Sequence, residues 1–343
     1  MSKYDFKSNV LNISTEKGGV GKTTISSYIA EWAARFLKMN VLLVDTDIQC
    51  NLTSLMIGLE TISLGEDQIE YKVPPVHPAY DPENPEVPER PSIADAFWGE
   101  TIIPYNTWIN NQDGELDVGN VDILPAHGAD LEQVAAMQPG DCNIEDPIYD
   151  SIFHIVHSDE ISEHYHLVVL DTNPTRNVLS RSALRACTDL VIPFELDALS
   201  YDGFLSMNSA VKAENSYRER NNSRNIHLVG LLPNRYVAGS KRTNGLSKTL
   251  YEEMKNDFDI GELFYSENSF IPQAEVAKKL MSGKHSAESV FDVNKKSKLE
   301  YRFRMAVEHA CIETLSKIFV HDELLQKELD SHRQRVRREQ KKL

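Results

Sequence analysis

The sequence predicts a doubly wound α/β domain, in which a mainly parallel β-sheet carries helices on both faces. Short apolar runs rich in β-branched residues recur along the chain and alternate with helix-like stretches, which is the pattern of βαβ units. A glycine-rich segment and several polar residues directly follow these runs. Open α/β sheets bind ligands at the carboxyl ends of their strands. The sequence therefore predicts the fold class and also the edge of the sheet that holds the functional site.

Six short apolar runs are predicted to form strands, and they are 10–14, 41–45, 121–125, 167–171, 190–194 and 226–232. Helix-like stretches such as 23–39 separate several of them. From Lys296 onward apolar residues recur at three- to five-residue intervals, mostly on one face, which predicts a helix. Past Leu329 the apolar positions nearly stop. We therefore expect one domain over 1–320 and a charged, basic helical extension over 321–343.

Residues 61–92 interrupt the alternation of strands and helices. Seven of the fifteen prolines lie between Pro74 and Pro91, with acidic residues among them. Proline removes a backbone donor and fixes φ, so such a segment is poorly suited to a helix or an inner strand. We expect an extended surface insertion that leaves one domain intact.

The composition, 41% hydrophobic and 26% charged, is ordinary for a globular protein. No run approaches the ~18 to 20 apolar residues that cross a bilayer. The first ten residues lack the apolar core of a secretory signal. Four cysteines without a CxxC pair are typical of free thiols in a reducing compartment. We expect a cytoplasmic protein.

The charge is unevenly distributed. A formal net charge of −16 argues against wholesale nucleic-acid binding, which a basic domain usually supports. The last eleven residues, however, hold six basic side chains and one acidic one. The net charge therefore does not exclude nucleic-acid binding through a local basic surface.

The glycine-rich segment between the first strand and the first helix is predicted to cradle phosphates. Glycines let backbone N–H groups turn towards phosphate oxygens, and the following helix N-terminus favours negative charge. Lys22 is expected to contact the β- and γ-phosphates, and the Thr23 hydroxyl is expected to contact Mg²⁺. The residues assigned to nucleotide binding are Gly18, Gly19, Val20, Gly21, Lys22, Thr23 and Thr24. Glu16 stands where the standard motif has its first glycine.

The stretch from Lys17 to Thr23, KGGVGKT, resembles the deviant Walker A motif of the ParA/MinD family of ATPases. The resemblance implies that ATP and Mg²⁺ are the cofactors and that the active protein is an ATP-dependent homodimer. It also implies that Lys17 is a signature lysine, which reaches across the dimer interface to the partner's phosphates. A cation supplied in trans acts where charge develops on the γ-phosphate, as an arginine finger does. Lys17 and Lys22 are thus both expected to be catalytic.

Two further segments resemble the motifs of that family. VLLVDTDIQCN, residues 41–51, is similar to D-x-D-P-Q-x-N with Ile48 in place of proline. The resemblance implies that Asp47 positions the attacking water and that Asp45 lies near the Mg²⁺ shell. HLVVLDTNPT, residues 166–175, ends a predicted strand at Asp171, the Walker B position, which implies a role for Asp171 in the Mg²⁺ shell. One of the two prolines usual after this aspartate is missing.

Looser matches extend the resemblance over about 10–60, 92–135 and 160–315. HLVGLLPNRY is similar to the strand that ends in an adenine-side asparagine, here Asn234. FIPQAE is similar to the segment whose proline backs the adenine, here Pro272.

Two other site chemistries are disfavoured. His154, His157, His164 and His166 lie close in sequence but lack cysteines at zinc-ligand spacing. An electron-transfer ATPase such as the nitrogenase iron protein needs cysteines for its cluster, and no cysteine follows Asp171 in the corresponding segment.

The branches of the family differ in cargo. MinD-like membrane binding needs a bulky apolar face, and the last eleven residues offer only Val336 and Leu343, so we expect no membrane binding. ParA-like proteins bind DNA non-specifically through surface cations. The candidate contacts are Lys241, Arg242 and Lys248 in one loop and Arg333, Arg335, Arg337 and Arg338 in the C-terminal segment.

The resemblance therefore implies a cytoplasmic, nucleoid-associated partition ATPase of the ParA type. Its partners would be a second copy of itself, non-specific DNA and a ParB-type centromere-binding protein that stimulates hydrolysis. A ParA-like ATPase that positions a protein cargo, and a MinD-like membrane-associated ATPase, are the alternatives.

Overall fold

The computed structural model describes residues 3–64, 69–84, 86–111, 118–138, 148–235, 243–256, 260–273, 289–293 and 297–342. The strands are β1 (Val10–Ile13), β2 (Val41–Thr46), β3 (Glu60–Leu64), β4 (Ile69–Val73), β5 (Tyr105–Asn106), β6 (Val121–Leu124), β7 (Leu167–Thr172), β8 (Asp189–Phe194) and β9 (His227–Pro233). Seven of them form one sheet in the order β5-β6-β2-β7-β1-β8-β9. Its neighbouring strands pair in parallel, except that β5 is antiparallel to β6.

The α-helices of the described residues are α1 (Lys22–Leu37), α2 (Asn51–Met56), α3 (Gly128–Ala136), α4 (Ser151–Val156), α5 (Asp159–His164), α6 (Val178–Ala186), α7 (Ala198–Arg220), α8 (Thr243–Asn256), α9 (Lys298–Ile318) and α10 (Glu323–Gln340). The doubly wound α/β prediction is confirmed, because helices cover both faces of a mostly parallel sheet. All six predicted strands are present. The two-residue edge strand β5 was not predicted, since so short a segment carries no alternation pattern.

Alternate residues of the inner strands bury into two different cores. In β2, Val41 and Leu43 pack into the core shared with α1, α9 and α10. Leu42 and Val44 pack on the other face, with α3, α4, α6 and α7. Successive side chains of a strand point to opposite faces, so a strand buried on both sides is apolar at every position. This is why the predicted strands read as continuous apolar runs.

The described residues of the insertion add no strand to the main sheet, but its first part is folded. Strands β3 and β4 form an antiparallel hairpin with Glu60 opposite Val73. Arg90 fastens the base of the hairpin, with Nη2 2.7 Å from Glu60 Oε2 and a second hydrogen bond to the Pro74 carbonyl. The hydroxyl of Tyr105 donates to the Pro75 carbonyl at 3.0 Å. The high proline content, which begins only at Pro74, concealed the hairpin that precedes it.

The C-terminal segment belongs to the same core as the rest of the chain. Helix α10 packs on α9 and buries Leu325, Leu329 and Val336. The Glu308 carboxylate of α9 is fully buried and accepts from Arg304 at 2.8 Å and from Arg335 of α10. The expected extension is therefore an integral helix, and some of its basic residues face inward. Among the described residues, no helix combines the length and apolar character needed to cross a bilayer.

We predict that Arg335→Ala lowers the free energy of unfolding by about 2 kcal/mol, because it leaves the buried Glu308 carboxylate short of a charged donor. Arg337→Ala is the matched control, since Arg337 is exposed, and its effect should stay within about 0.5 kcal/mol. Denaturant unfolding of both variants measures the difference. Equal destabilisation by the two substitutions would contradict an inward role for Arg335.

Candidate functional site

A cleft of about 1030 Å³ opens at the carboxyl edge of the sheet, beside the ends of β1 and β2. This is at the upper end of the size range of small-molecule sites. One wall is the glycine-rich segment, with Lys22 and Thr23 at the start of α1. Asp47 from the loop after β2 also lines the cleft. The opposite wall contains Val76 of the insertion and Trp108, so the insertion shapes the site.

The glycine-rich loop needs its glycines for two reasons. Gly19 and Gly21 have φ values of 77° and 87°, in the left-handed region that favours glycine. A Cβ on Gly21 would also lie 2.3 Å from Asn234 Nδ2, which is closer than any real contact. Gly21 is the N-cap of α1, so the loop leads directly into a helix N-terminus that faces the cleft. This geometry provides an anion site.

Two residues that directly follow β9 hydrogen-bond to the backbone of this loop. Asn234 Nδ2 donates to the Val20 carbonyl at 2.7 Å, and Arg235 Nη1 donates to the Gly19 carbonyl at 2.7 Å. The expected adenine contact, Asn234, therefore supports the loop in this structure. Pro272 follows Ile271, whose N–H pairs with the Pro233 carbonyl beside Asn234. Neither Asn234 nor Pro272 lines the cleft, and residues 274–288, which continue this segment, lie outside the described part of the chain.

Lys22 is buried at the floor of the cleft, with 7% of its surface exposed. Burial lowers the pKa of its ammonium group, while the charges of Asp171 and Asp47 act in the opposite direction. A buried cation needs a compensating negative charge. A polyphosphate bound in the loop would provide that charge.

Asp171 at the end of β7 is fully buried beside Lys22 and Thr23. Its Oδ1 accepts from Ser26 Oγ at 3.4 Å, whereas its Oδ2 has no hydrogen-bond partner among the described residues. Burial and the nearby Asp45 raise its pKa well above the ordinary value of a carboxyl group. A buried carboxylate oxygen without a partner, next to a threonine hydroxyl, fits a Mg²⁺ ion or its water shell. Thr23 and Asp171 can therefore hold the metal of a nucleotide complex.

Asp45, also expected near the metal, is differently engaged. Its Oδ2 accepts from Thr53 N at 2.8 Å and from Thr53 Oγ1 at 2.7 Å, and its Oδ1 accepts from Asp47 N at 3.1 Å. These bonds occupy both oxygens, and burial raises its pKa to about 7. Asp45 does not line the cleft. In this structure it shapes the loop that carries Asp47, a role that spacing alone does not reveal.

Asp47 does reach the cleft, where it lies with Lys22 and Thr23. Its Oδ1 accepts from Gln49 N at 3.0 Å, which forms an Asx turn. This turn orders the loop in which Ile48 stands in place of the family's proline. The structure brings Asp47 and the phosphate loop together, as the sequence predicts.

Lys17 points away from the cleft of its own chain. Its Nζ lies 2.5 Å from Glu195 Oε2, 2.6 Å from Asp197 Oδ2 and 3.2 Å from Ser200 Oγ. Burial alone would lower its pKa, but the hydrogen bonds to Asp197 and Glu195 outweigh burial and raise it. Sequence reasoning missed this acidic pair. The available signal was that both carboxylates follow β8, at the same sheet edge as the loop.

Glu16 links the loop to two neighbouring elements. Its carboxylate accepts from Arg176, in the segment after β7, and from Ser206 Oγ on α7 at 2.6 Å. Arg176 Nη2 also donates to the Ser206 carbonyl at 3.0 Å. The departure from the standard motif at Glu16 thus connects the phosphate loop, the segment after Asp171 and α7.

Other predicted contacts lie away from the cleft or outside the described residues. Lys241 and Arg242 are outside the described residues, and Lys248 falls within α8. The ring of His157 accepts from Ser8 N at 3.1 Å and bonds to the Ala186 carbonyl at 2.9 Å. This histidine therefore serves the packing of the N-terminal segment.

The sequence of this chain matches a known protein family. The family model AAA_31, described as an AAA domain, matches residues 8–223, which is more than half of the chain. The chain belongs to this family, the ParA/MinD-type P-loop ATPases. The match includes the phosphate loop, Asp47 and Asp171.

Individual relatives are more distant. A Rhizobium rhizogenes protein provisionally named replication protein A is 27% identical over 208 residues, which cover 60% of this chain and 45% of that protein. The chain therefore spans less than half the length of this curated relative.

Solved structures share the fold. pNOB8 ParA bound to nonspecific DNA has a TM-score of 0.61 and 18% identity, covering 92% of this chain and 100% of that chain. Cobyrinic acid a,c-diamide synthase from Mycobacterium smegmatis, with a bound ATP analogue and magnesium, has a TM-score of 0.53 and 20% identity, covering 78% and 88%. The TM-scores establish a common fold, and at sequence identities this low they establish the fold alone.

We predict that two aspartate substitutions affect different properties, one of them nucleotide binding and the other folding stability. Asp171→Asn should weaken Mg²⁺-dependent nucleotide binding at least about 10-fold without loss of stability, because it removes a buried charge that lacks a full set of partners. Asp45→Asn should cost about 1–3 kcal/mol of folding stability, because its amide would face donors that now bond to a carboxylate. Denaturant unfolding and nucleotide titration with and without Mg²⁺ measure both. A stable Asp45→Asn protein that loses only metal dependence would reverse these assignments.

Proposed function

We propose that this protein is a Mg²⁺-dependent ATPase of the ParA partition type. In this proposal two subunits close around two ATP molecules, bind DNA non-specifically in that state and separate after hydrolysis. The observation that carries the proposal is the different placement of two lysines from one loop. Lys22 lies in the cleft of its own chain, whereas Lys17 is directed out of it and held by Glu195 and Asp197.

The residues of the cleft suit phosphoryl transfer to water. Lys22 and the N–H groups of the loop would hold the phosphates, and Thr23 and Asp171 would hold the metal complex. Bound Mg²⁺ supplies positive charge that stabilises the phosphoryl oxygens. Asp47 lines the same cleft and would orient the attacking water. A related fold has been solved with an ATP analogue and magnesium, which supports this choice of ligand.

Lys17 gives the site its dependence on a partner. To reach the γ-phosphate of a second subunit, it must leave two carboxylates that lie within 2.6 Å of its Nζ. A cation supplied in trans stabilises the charge that develops in the transition state. We therefore expect slow hydrolysis by the isolated subunit and faster hydrolysis once a ParB-type protein stabilises the closed dimer.

The choice of DNA as cargo rests on one relative and on local charge. pNOB8 ParA, a protein of the same fold, has been solved on nonspecific DNA. The net charge of −16 requires that any DNA contact use a limited cationic surface of this chain. Binding through phosphates needs no base-reading geometry.

The decisive experiment is binding to random-sequence duplex DNA with ATP, with ADP and without nucleotide, each with Mg²⁺ and at two salt concentrations. We predict binding that requires ATP and weakens steeply as salt increases. Absence of binding in every state, by a protein that binds ATP, would overturn DNA partition and favour a protein cargo.

We predict that Lys17→Ala retains ATP binding but loses at least about 100-fold in hydrolysis stimulated by dimerisation, because the trans cation is missing. Asp197→Asn is the companion variant. Its side-chain oxygen can still accept from the Ser200 N–H and cap α7, but the substitution removes one of the two charges that hold Lys17. It should therefore raise unstimulated hydrolysis. Steady-state phosphate release measures both. Normal turnover by Lys17→Ala would contradict the trans role.

A further inference from the structure

The basic residues at the C-terminal end separate into two groups with different surroundings. Arg333 donates to Asp330 and, at 2.8 Å, to Ser316 Oγ, and Arg335 binds the buried Glu308. Both are therefore engaged within the fold. Arg337 and Arg338 are exposed and have no side-chain hydrogen bond or ion pair among the described residues.

Four further cations are exposed in the same way as Arg337 and Arg338. Lys341 and Lys342 follow Arg337 and Arg338 by one helical turn and are likewise exposed. Lys298 and Arg302 are exposed one turn apart on α9. None of these four has a side-chain bond or ion pair to another described residue. We call the set Lys298, Arg302, Arg337, Arg338, Lys341 and Lys342 the tail patch.

Contacts between α9 and α10 bring the two halves of the tail patch together. The start of α9 lies beside the end of α10, because the Tyr301 hydroxyl bonds to Glu339. Two turns beyond Arg302, on the same face of α9, His309 bonds to Gln340 at 3.2 Å. The exposed cations of both helices therefore flank one helix–helix seam.

The acidic residue in the last turns of α10, Glu339, is directed away from the exposed cations beside it. Glu339 is turned inward, where it binds Tyr301 and lies 4.0 Å from Arg335. The apolar residue of the last turns, Val336, is fully buried. One exposed apolar side chain, Leu299, borders the tail patch. The surface thus presents several exposed cations with little apolar area, which suits a phosphate backbone better than the interior of a membrane.

We propose that the tail patch is the surface through which this protein binds the phosphate backbone of duplex DNA. The inference rests on the proposed function and adds the location of the contact. It also assigns Arg333 and Arg335 to holding α10 in place, in contrast to Arg337 and Arg338, which contact DNA. Two subunits in a dimer present two tail patches, so dimerisation by ATP would convert weak single contacts into a bivalent one.

The test compares two triple variants of the full-length protein on random-sequence duplex DNA with ATP and Mg²⁺. The tail variant is Arg337→Gln, Arg338→Gln and Lys341→Gln. The matched control is Lys212→Gln, Arg220→Gln and Lys327→Gln, which removes three exposed cations elsewhere. Affinity is measured over a series of salt concentrations, and ATP hydrolysis and dimerisation of each variant are measured without DNA.

We expect the tail variant to bind DNA at least about 10-fold more weakly. Its salt slope should be smaller by about one for each phosphate that the substituted side chains no longer neutralise. The control should keep the wild-type slope, and both variants should keep wild-type hydrolysis and dimerisation without DNA. Arg337→Lys with Arg338→Lys should bind as the wild type does, because binding to phosphates requires only charge.

Two results would overturn the assignment of the tail patch. If the wild type binds DNA and the tail variant retains its affinity and slope, the patch is not the contact surface, although the proposed function stands. If the wild type binds no DNA but binds vesicles containing anionic lipid, both the patch assignment and the partition function fail.

Discussion

Buried opposite charges at the carboxyl edge of the sheet constrain the rest of this structure. Lys22 at the start of α1 and Asp171 in β7 are buried at this edge, and burial shifts the pKa of each towards its uncharged form. Ions removed from water need partners, and Asp171 has an oxygen without one among the described residues. The site is therefore arranged for a ligand that is both anionic and metal-bound. The loop around it is held by Asn234, Arg235 and Glu16, so that a bound polyphosphate meets a preformed cradle.

In the proposed mechanism, Lys17 acts on a second subunit, so that the cradle of one chain is completed only by its partner. Glu195 is shared, because its Oε2 binds Lys17 and its Oε1 lies 3.2 Å from Arg235, which in turn binds the Gly19 carbonyl. A change in the position of Lys17 would thus affect the loop that holds the phosphates. This connection gives a physical route by which assembly of two subunits and the state of the nucleotide could influence each other.

The sequence predicted much of the fold and the phosphate loop, because both depend on local patterns. Strands buried on both faces read as apolar runs, and the glycines are required by positive φ angles at Gly19 and Gly21. What it did not predict depends on contacts between distant residues. The bonds of Asp45 with Thr53, the acidic pair around Lys17 and the inward turn of Arg335 are products of tertiary packing. Basic residues near the C-terminus read as one charged run, although the fold pairs Arg333 and Arg335 within the structure and leaves Arg337 and Arg338 exposed.

We propose that ATP joins two copies of this chain. Sedimentation equilibrium of the wild-type protein with Mg²⁺ and an ATP analogue, with Mg²⁺ and ADP, and without nucleotide tests this claim most directly. We predict twice the monomer mass with a slowly hydrolysed ATP analogue, which outlasts the approach to equilibrium, and the monomer mass with ADP or without nucleotide. A monomer that is saturated with the analogue would contradict the claim, because Lys17 would then have no second site to complete.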